Sequence, residues 1–144
     1  MKKLRILSLG RNQIKKIEKL DDLADTLEEL WISYNLISSL DGLTSLTKLQ
    51  VLYMSNNNIK NWSELDKIVS YQHKCCLSKS CWFTQQAGLP ELRDVLFVGN
   101  PIYEGLSREE QRIEVLKKLP NVAKIDGDMV KPSEREEAAE AAEW

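Results

Sequence analysis

The chain has 144 residues, 42% of them apolar, which suffices for one modest core or one stack of repeats but not for two independent domains. Twenty basic and twenty-two acidic side chains leave a formal net charge of −2, so the composition predicts neither nucleic acid nor a membrane surface as a partner. No apolar run is long enough to span a bilayer and the first residues lack the apolar core of a secretion signal, so we expect a soluble intracellular protein.

A repeated spacing, LxxLxLxxNxI, begins at Leu4 and recurs from Leu27, Leu49 and Leu92. In each copy the apolar alternation predicts a short strand with its leucines inward, and the Asn predicts a turn out of that strand. Such a turn leaves backbone N–H and C=O groups inside the coil, so the Asn side chains are predicted to form a ladder of buried amides that satisfies them. The ladder residues are Asn12, Asn35, Asn57 and Asn100.

After each Asn the apolar residues recur at steps of three, as in Ile14, Ile17, Leu20 and Leu23. This spacing predicts a short helix or 3₁₀ segment on the outside of each coil. Amphipathic helices could produce similar spacing by accident, but the four matching Asn positions argue against that. The predicted fold class is therefore α/β, a leucine-rich-repeat solenoid with short parallel strands on the concave face, short helices on the convex face and a C-terminal helical cap.

The third and fourth copies start 43 residues apart, whereas the earlier ones start 23 and 22 apart. Residues 69–86 carry no repeat pattern, so they are predicted to be an irregular insertion that bulges from the solenoid, either a lineage-specific loop or a retained intron.

The insertion holds the side chains that a zinc site or a cysteine-dependent enzyme would use. Four side chains there could ligate zinc, but their spacing does not match that of the usual pairs of zinc ligands. Cysteine-based catalysis would need a base held in place by a further group, and no such group accompanies the sole histidine. These residues are His73, Cys75, Cys76 and Cys81. We therefore predict no catalytic residues, no metal ligands and no cofactor, and the chain is not expected to be an enzyme.

The segment after the fourth copy is predicted to cover the open end of the solenoid. An amphipathic helix over 107–119, ended by Pro120, and a strand-like piece around Ile125 would form a cap at 103–130. We therefore predict one leucine-rich-repeat domain that covers residues 1–130.

The last residues, 131–144, are acidic and rich in Glu-Ala-Ala. Ser133 and Glu136 have the spacing of a capping box, which predicts a helix over about 134–143. We expect a flexible or frayed helical tail.

The residues between the inward leucines are predicted to point outward on the concave face. Trp31 and Tyr53 would then stand side by side on adjacent strands, as anchors for a partner with charged residues around them. The alternative is that the two rings only brace the sheet. The predicted protein-binding residues are Arg11, Glu29, Trp31, Tyr34, Val51, Tyr53, Asp94 and Leu96.

Five stretches together resemble the axonemal dynein light chain of the leucine-rich family: RILSLGRN, DTLEELWISYN, LYMSNN, FVGNPI and the closing LPNVAKIDG. Trp31, Tyr34 and Tyr53 lie within them and are not required by the repeat, so the likeness goes beyond shared architecture. The sequence departs from the family at the insertion and at its start, because family members have further N-terminal repeats. From this we expect an N-terminally truncated form with an uncovered first strand.

The resemblance implies a non-catalytic light chain that binds the outer-arm dynein heavy chain near its microtubule-binding region and modulates ciliary and flagellar motility. It implies a location in the cytoplasm and cytoskeleton, in the axoneme of the cilium or flagellum. A further candidate partner is acidic tubulin, which a basic cluster near the start could meet, although such charge is more often a solvated face. The cluster comprises Lys2, Lys3, Arg5, Arg11, Lys15, Lys16 and Lys19. The alternative function is a leucine-rich regulatory subunit of a phosphatase or splicing complex.

Overall fold

The computed structural model describes residues 3–68, 89, 91–119 and 122–142, with side chains described as far as residue 140. Six strands form one sheet in chain order. They are β1 (Ile6–Ser8), β2 (Glu29–Trp31), β3 (Val51–Tyr53), β4 (Asp94–Leu96), β5 (Lys124–Ile125) and β6 (Asp128–Met129). The first five strands are parallel, and β6 pairs antiparallel with β5.

The register of the sheet follows the sequence spacing. Leu7, Leu30, Leu52 and Val95 lie opposite one another across β1 to β4. Three of these side chains are fully buried, and Leu7 packs against the same core from its edge. The predicted solenoid with inward leucines is confirmed.

The outer side of the coils is built from 3₁₀ segments, as the steps of three predicted. They span Asp21–Leu23, Asp41–Leu43, Trp62–Ile68 and Pro101–Tyr103. Neighbouring coils approach closely here, because a Cβ added at Gly42 would lie 1.8 Å from the carbonyl oxygen of Ile17. Only a residue without a side chain fits this contact.

Burial falls off toward the first coil. Leu27 and Leu30 of the second coil are completely buried, whereas Leu4, Leu7 and Leu9 are only partly buried. A coil covered on one side leaves its leucines partly in contact with water, as expected for the first strand.

The Asn ladder forms as predicted at three of its four positions. The side chain of Asn57 accepts the N–H of Ile37 at 3.3 Å and donates to the carbonyls of Ile32 at 3.0 Å and Met54 at 2.9 Å. Asn35 and Asn100 likewise bridge their own coil and the preceding one.

Asn12 differs from the other ladder residues. Its side chain is exposed and donates only to the carbonyls of Leu9 and Gly10 within its own coil. The prediction of a buried amide was wrong here. Asn35, Asn57 and Asn100 are each buried against the preceding coil, whereas the corresponding side of Asn12 faces solvent.

The cap begins with helix α1 (Arg108–Lys118), which matches the helix predicted over 107–119. Ser107 accepts the N–H of Glu110, whose carboxylate accepts the N–H of Ser107, so a capping box starts this helix. Pro120, predicted to end it, lies outside the described residues.

Asp126 joins the cap to the last repeat. Its carboxylate accepts the N–H groups of Phe97 at 2.8 Å and Val98 at 3.1 Å, and the hydroxyl of Tyr103 at 2.9 Å. These bonds satisfy the backbone N–H groups that follow β4, in the last repeat before the cap.

The second helix, α2, spans Pro132–Ala142 and packs against α1. It begins before Ser133, so Ser133 lies inside the helix and the predicted capping box with Glu136 was wrong; proline fits the first helical turn, where its missing N–H is not needed. Ala138 is 4% exposed, which places one face of α2 in the core. The predicted boundary at residue 130, between the repeat domain and a flexible tail, therefore does not separate α2 from the rest of the fold.

The insertion at 69–86, with the histidine and cysteines considered as zinc ligands or nucleophiles, lies outside the described residues. Elsewhere in the chain, where side chains are described, no group of His, Cys, Asp and Glu is arranged to hold a metal ion. Among the described helices none is long and apolar enough to cross a membrane.

Candidate protein-binding surface

The outward face of β1 to β4 carries two rows of side chains that the register places next to each other. The first row is Ile6, Glu29, Val51 and Asp94, and the second is Ser8, Trp31, Tyr53 and Leu96. Arg11 and Tyr34 follow the carboxyl ends of β1 and β2. We call these ten residues the concave surface; it brings together all eight residues predicted to bind a partner.

Two aromatic rings form the centre of the concave surface. The rings of Trp31 and Tyr53 stack with their centroids 5.8 Å apart and their planes 29° apart. Trp31 is nevertheless 41% exposed, whereas Tyr53 is half-buried. The stack braces the sheet and still presents the indole to solvent, so bracing and recognition are compatible here.

The phenol of Tyr53 is tied to the next strand. Its hydroxyl donates to a carboxylate oxygen of Asp94 at 3.0 Å. Burial, followed by this hydrogen bond and the negative charges of Asp94 and Glu29, raises the pKa of Tyr53 above its ordinary value. Tyr53 therefore remains a neutral donor, and Asp94 is held in place at the edge of the aromatic centre.

A second aromatic contact lies at the carboxyl end of the strands. The guanidinium of Arg11 lies 5.0 Å from the ring centroid of Tyr34. Both residues have left-handed backbone, with φ of 58° and 59°, at the repeat position where Gly99 has φ of 84°. A bulky residue in this region is uncommon and carries strain of about 1 kcal/mol or more, which the surrounding coils must hold.

A depression of about 310 Å³ lies between the two aromatic contacts. Trp31, Tyr53 and Tyr34 wall it, and Gly10 and Ser33 are the small residues that line it between them. The hydroxyl of Ser33 is buried and has no hydrogen-bond partner within the described part of the chain. Gly10 and Ser33 were not among the residues predicted to bind a partner, although the repeat spacing places them in a row beside the aromatic one.

The basic cluster of the first coil is partly engaged within the fold. Arg5 is ion-paired with Glu28 at 2.8 Å, and Arg11 lies against Tyr34. Lys2 lies outside the described residues. The two arginines thus make intramolecular contacts, of which the exposed Arg5 ion pair is weak.

Comparison with known proteins agrees with this architecture. A sequence model of leucine-rich repeats in two copies matches residues 25–67. Dynein axonemal light chain 1 of Chlamydomonas reinhardtii is 53% identical over 142 residues, 96% of this chain and 63% of that protein. The proteins of the same name from Danio rerio and Homo sapiens are each 45% identical, over 98% and 95% of this chain and 65% and 63% of theirs.

The chain is a leucine-rich-repeat protein similar in sequence to dynein axonemal light chain 1. It spans 63–65% of the length of the curated relatives described above.

Solved structures share the fold of this chain. The Drosophila melanogaster SNF/U2A′ complex contains a chain with a TM-score of 0.65 at 17% identity, over 96% of this chain and 68% of that one. An internalin from Listeria monocytogenes has a TM-score of 0.53 at 15% identity, over 91% of this chain and 37% of its own. At these identities the likeness concerns the fold alone.

Proposed function

We propose that the chain is a non-catalytic, protein-binding light chain of axonemal outer-arm dynein. It binds the motor heavy chain near its microtubule-binding region through the concave surface, and so modulates ciliary and flagellar motility. The names of the relatives at 45–53% identity support the assignment to the axoneme. The observation that carries the binding role is the 41% exposure of Trp31 at the centre of the sheet face.

An exposed indole in the middle of a rigid sheet favours protein recognition on energetic grounds. Tryptophan and tyrosine bury large areas on association while losing few rotamers, and they are enriched among residues that dominate binding energy. Trp31 is held by its stack on Tyr53, so little conformational freedom is lost when a partner covers it. Glu29, Asp94 and Arg11 supply polar surroundings typical of an interface rim.

The chemistry of this surface also favours binding over catalysis. Tyr53 is kept protonated and donates to Asp94, so neither group is arranged as an activated nucleophile with an oriented base. The proposed partner of the surface is therefore a protein segment and not a substrate to be transformed.

The alternative of a phosphatase or splicing subunit has weaker support. The fold likeness to the SNF/U2A′ complex is at 17% identity and carries no argument about function. Two cations of the basic cluster, Arg5 and Arg11, make contacts within the fold, which weakens the case for tubulin as the partner.

Co-precipitation from ciliary extract tests the proposal. The tagged full chain should recover an outer-arm dynein heavy chain, and the double variant Trp31→Ala/Tyr53→Ala should not. Met129→Ala, which truncates a 65% exposed apolar residue on the cap, is the matched control and should recover as much heavy chain as the unmodified protein. Recovery of only phosphatase or splicing components would contradict the assignment.

A further inference from the structure

The concave surface contains a carboxylate without a partner. Glu29 is half-buried and makes no side-chain hydrogen bond or ion pair with any residue that the structure describes. It lies two residues before Trp31 on β2, so the two side chains point to the same face about 6.6 Å apart along the strand. A partner that covers Trp31 therefore also covers Glu29.

The other charges around Glu29 do not neutralise it. In the same row, the register continues from Glu29 through Val51 and Asp94 to Lys124 on β5. Lys124 lies beside Asp94, at the far end of the row. Two carboxylates and one ammonium leave this row with a charge of −1, and the neutral Ile6 borders Glu29 on its other side.

Arg5 is the remaining cation near this carboxylate. It donates to Glu28 at 2.8 Å, and the nearby charge of Glu29 adds only the smallest of the influences that raise the pKa of Arg5. Its side chain is 70% exposed, so water screens the interaction strongly.

Desolvation then decides what kind of partner fits. A carboxylate removed from water without a cation or hydrogen-bond donor strongly opposes association, whereas a paired one contributes orientation and specificity. A purely apolar segment that covers Trp31 would leave the desolvated Glu29 carboxylate unpaired. A segment with a basic side chain opposite Glu29 would pair with that carboxylate.

We propose, on the basis of the function proposed above, that the bound heavy-chain segment is basic and apolar: a Lys or Arg lies over Val51 between Glu29 and Asp94, next to an apolar side chain on Trp31. Neighbouring strands are about 4.8 Å apart, so one cationic group over Val51 lies within about 5 Å, across the sheet, of both carboxylate-bearing strands. The point over Val51 lies one strand and two residues from Trp31, so the two side chains of the segment must stand about 8 Å apart. Acidic segments are disfavoured on this face.

Titration of the full chain with purified outer-arm heavy chain, at low and at physiological ionic strength, tests this chemistry. Glu29→Gln should weaken binding roughly tenfold to a hundredfold and flatten the dependence of affinity on salt, and Glu29→Lys should weaken binding further. Glu91→Gln is the matched control: Glu91 lies outside the concave surface, 4.0 Å from Lys48, and its loss should leave affinity and salt dependence unchanged. Thermal melts should show that Glu29→Gln folds normally, because the Glu29 side chain makes no hydrogen bond or ion pair with the described residues and its backbone bonds are kept.

The outcomes separate this inference from the proposed function. If Trp31→Ala weakens heavy-chain binding about 30-fold while Glu29→Gln changes neither affinity nor salt dependence, the inference of a basic segment is wrong and the light-chain function stands. If the heavy chain does not bind the unmodified protein, the proposed function fails as well. Binding of an acidic tubulin-tail peptide, or dimerisation of the chain abolished by Glu29→Gln, would identify another occupant and overturn the inference.

Discussion

The indole of Trp31 stacks on the phenol of Tyr53 from the adjacent strand, with 5.8 Å between ring centroids. Such a pair contributes about 0.5 to 1.5 kcal/mol beyond its buried area. Because Tyr53 is fixed in turn by its bond to Asp94, the exposed indole is held by three consecutive strands. The rigidity of the repeat sheet thus sets the geometry of the surface before any partner arrives.

Replacing a ladder asparagine should destabilise the fold strongly. Asn57→Ala would leave the N–H of Ile37 without its acceptor and would remove one of two side-chain donors from each of the carbonyls of Ile32 and Met54, which keep Asn35 and Asn100. Three buried hydrogen bonds are lost at about 1 kcal/mol each, so we expect about 3 kcal/mol less stability in urea denaturation.

Asn12→Ala provides the matched control for this prediction. Asn12 has the same place in the repeat but an exposed side chain bonded only within its own coil. The free energy of unfolding should change by less than about 1 kcal/mol, because water replaces the lost bonds. Equal effects at the two positions would contradict the ladder account.

These two residues also show how far the sequence predicts the fold. The spacing of Leu and Asn was enough to predict strand register and the bonds of Asn35, Asn57 and Asn100, since each coil repeats the same local geometry. It did not predict the exposure of Asn12, because burial in a solenoid depends on the neighbouring coil and not on the repeat itself. The rows of the concave surface followed from the same periodicity.

The cap was less predictable because its bonds join segments without a repeat. Arg112 is 7% exposed; it donates to the carboxylate of Glu134 at 2.9 Å and to the carbonyls of Ile125 and Met129. No local pattern marks such a residue: its partners lie 13 to 22 positions away. Arg112 joins α1 to α2 through Glu134, and the sequence did not predict this contact.

Removing the Arg112 guanidinium should loosen the cap. Arg112→Met keeps the aliphatic volume but leaves Glu134 and two carbonyls unpaired, so we expect a loss of about 3 kcal/mol and faster proteolysis within α2. The control is Arg108→Met, at a position on the same helix as Arg112. It removes only the exposed ion pair between Arg108 and Asp128 and should cost less than about 1 kcal/mol. If both variants resist protease like the unmodified protein, α2 does not depend on Arg112.

Tyr103 predicts a pH dependence at the alkaline end. Burial, with the negative charge of Asp126 and the hydrogen bond to it, raises the pKa of Tyr103 well above its ordinary value of about 10. A raised folded-state pKa gives stability that is fully present below the unfolded value and is lost as pH rises toward the folded one. Above about pH 10 the unfolded chain ionises first, so stability should fall by up to about 1.4 kcal/mol per pH unit from this residue.

Urea midpoints measured at increasing alkaline pH test whether stability falls as this pH dependence predicts. Tyr103→Phe should lower the free energy of unfolding by about 1 kcal/mol at neutral pH. Above pH 10 the stability of the variant should fall less steeply than that of the unmodified protein, because phenylalanine does not ionise. Tyr34→Phe changes a 51% exposed ring outside the cap and serves as the control. A slope unchanged by Tyr103→Phe would mean that its hydroxyl is not buried against Asp126.

The affinity of the Trp31→Ala variant for an outer-arm dynein heavy chain, measured by titration beside the unmodified protein and Met129→Ala, tests the proposed light-chain function most directly. We predict about 30-fold weaker binding for Trp31→Ala, equivalent to about 2 kcal/mol, and Met129→Ala should bind normally. The melting temperature of Trp31→Ala should fall by only a few degrees, because the lost stack costs about 1 kcal/mol. Affinity within twofold of the unmodified protein would contradict the claim that this surface holds the motor subunit.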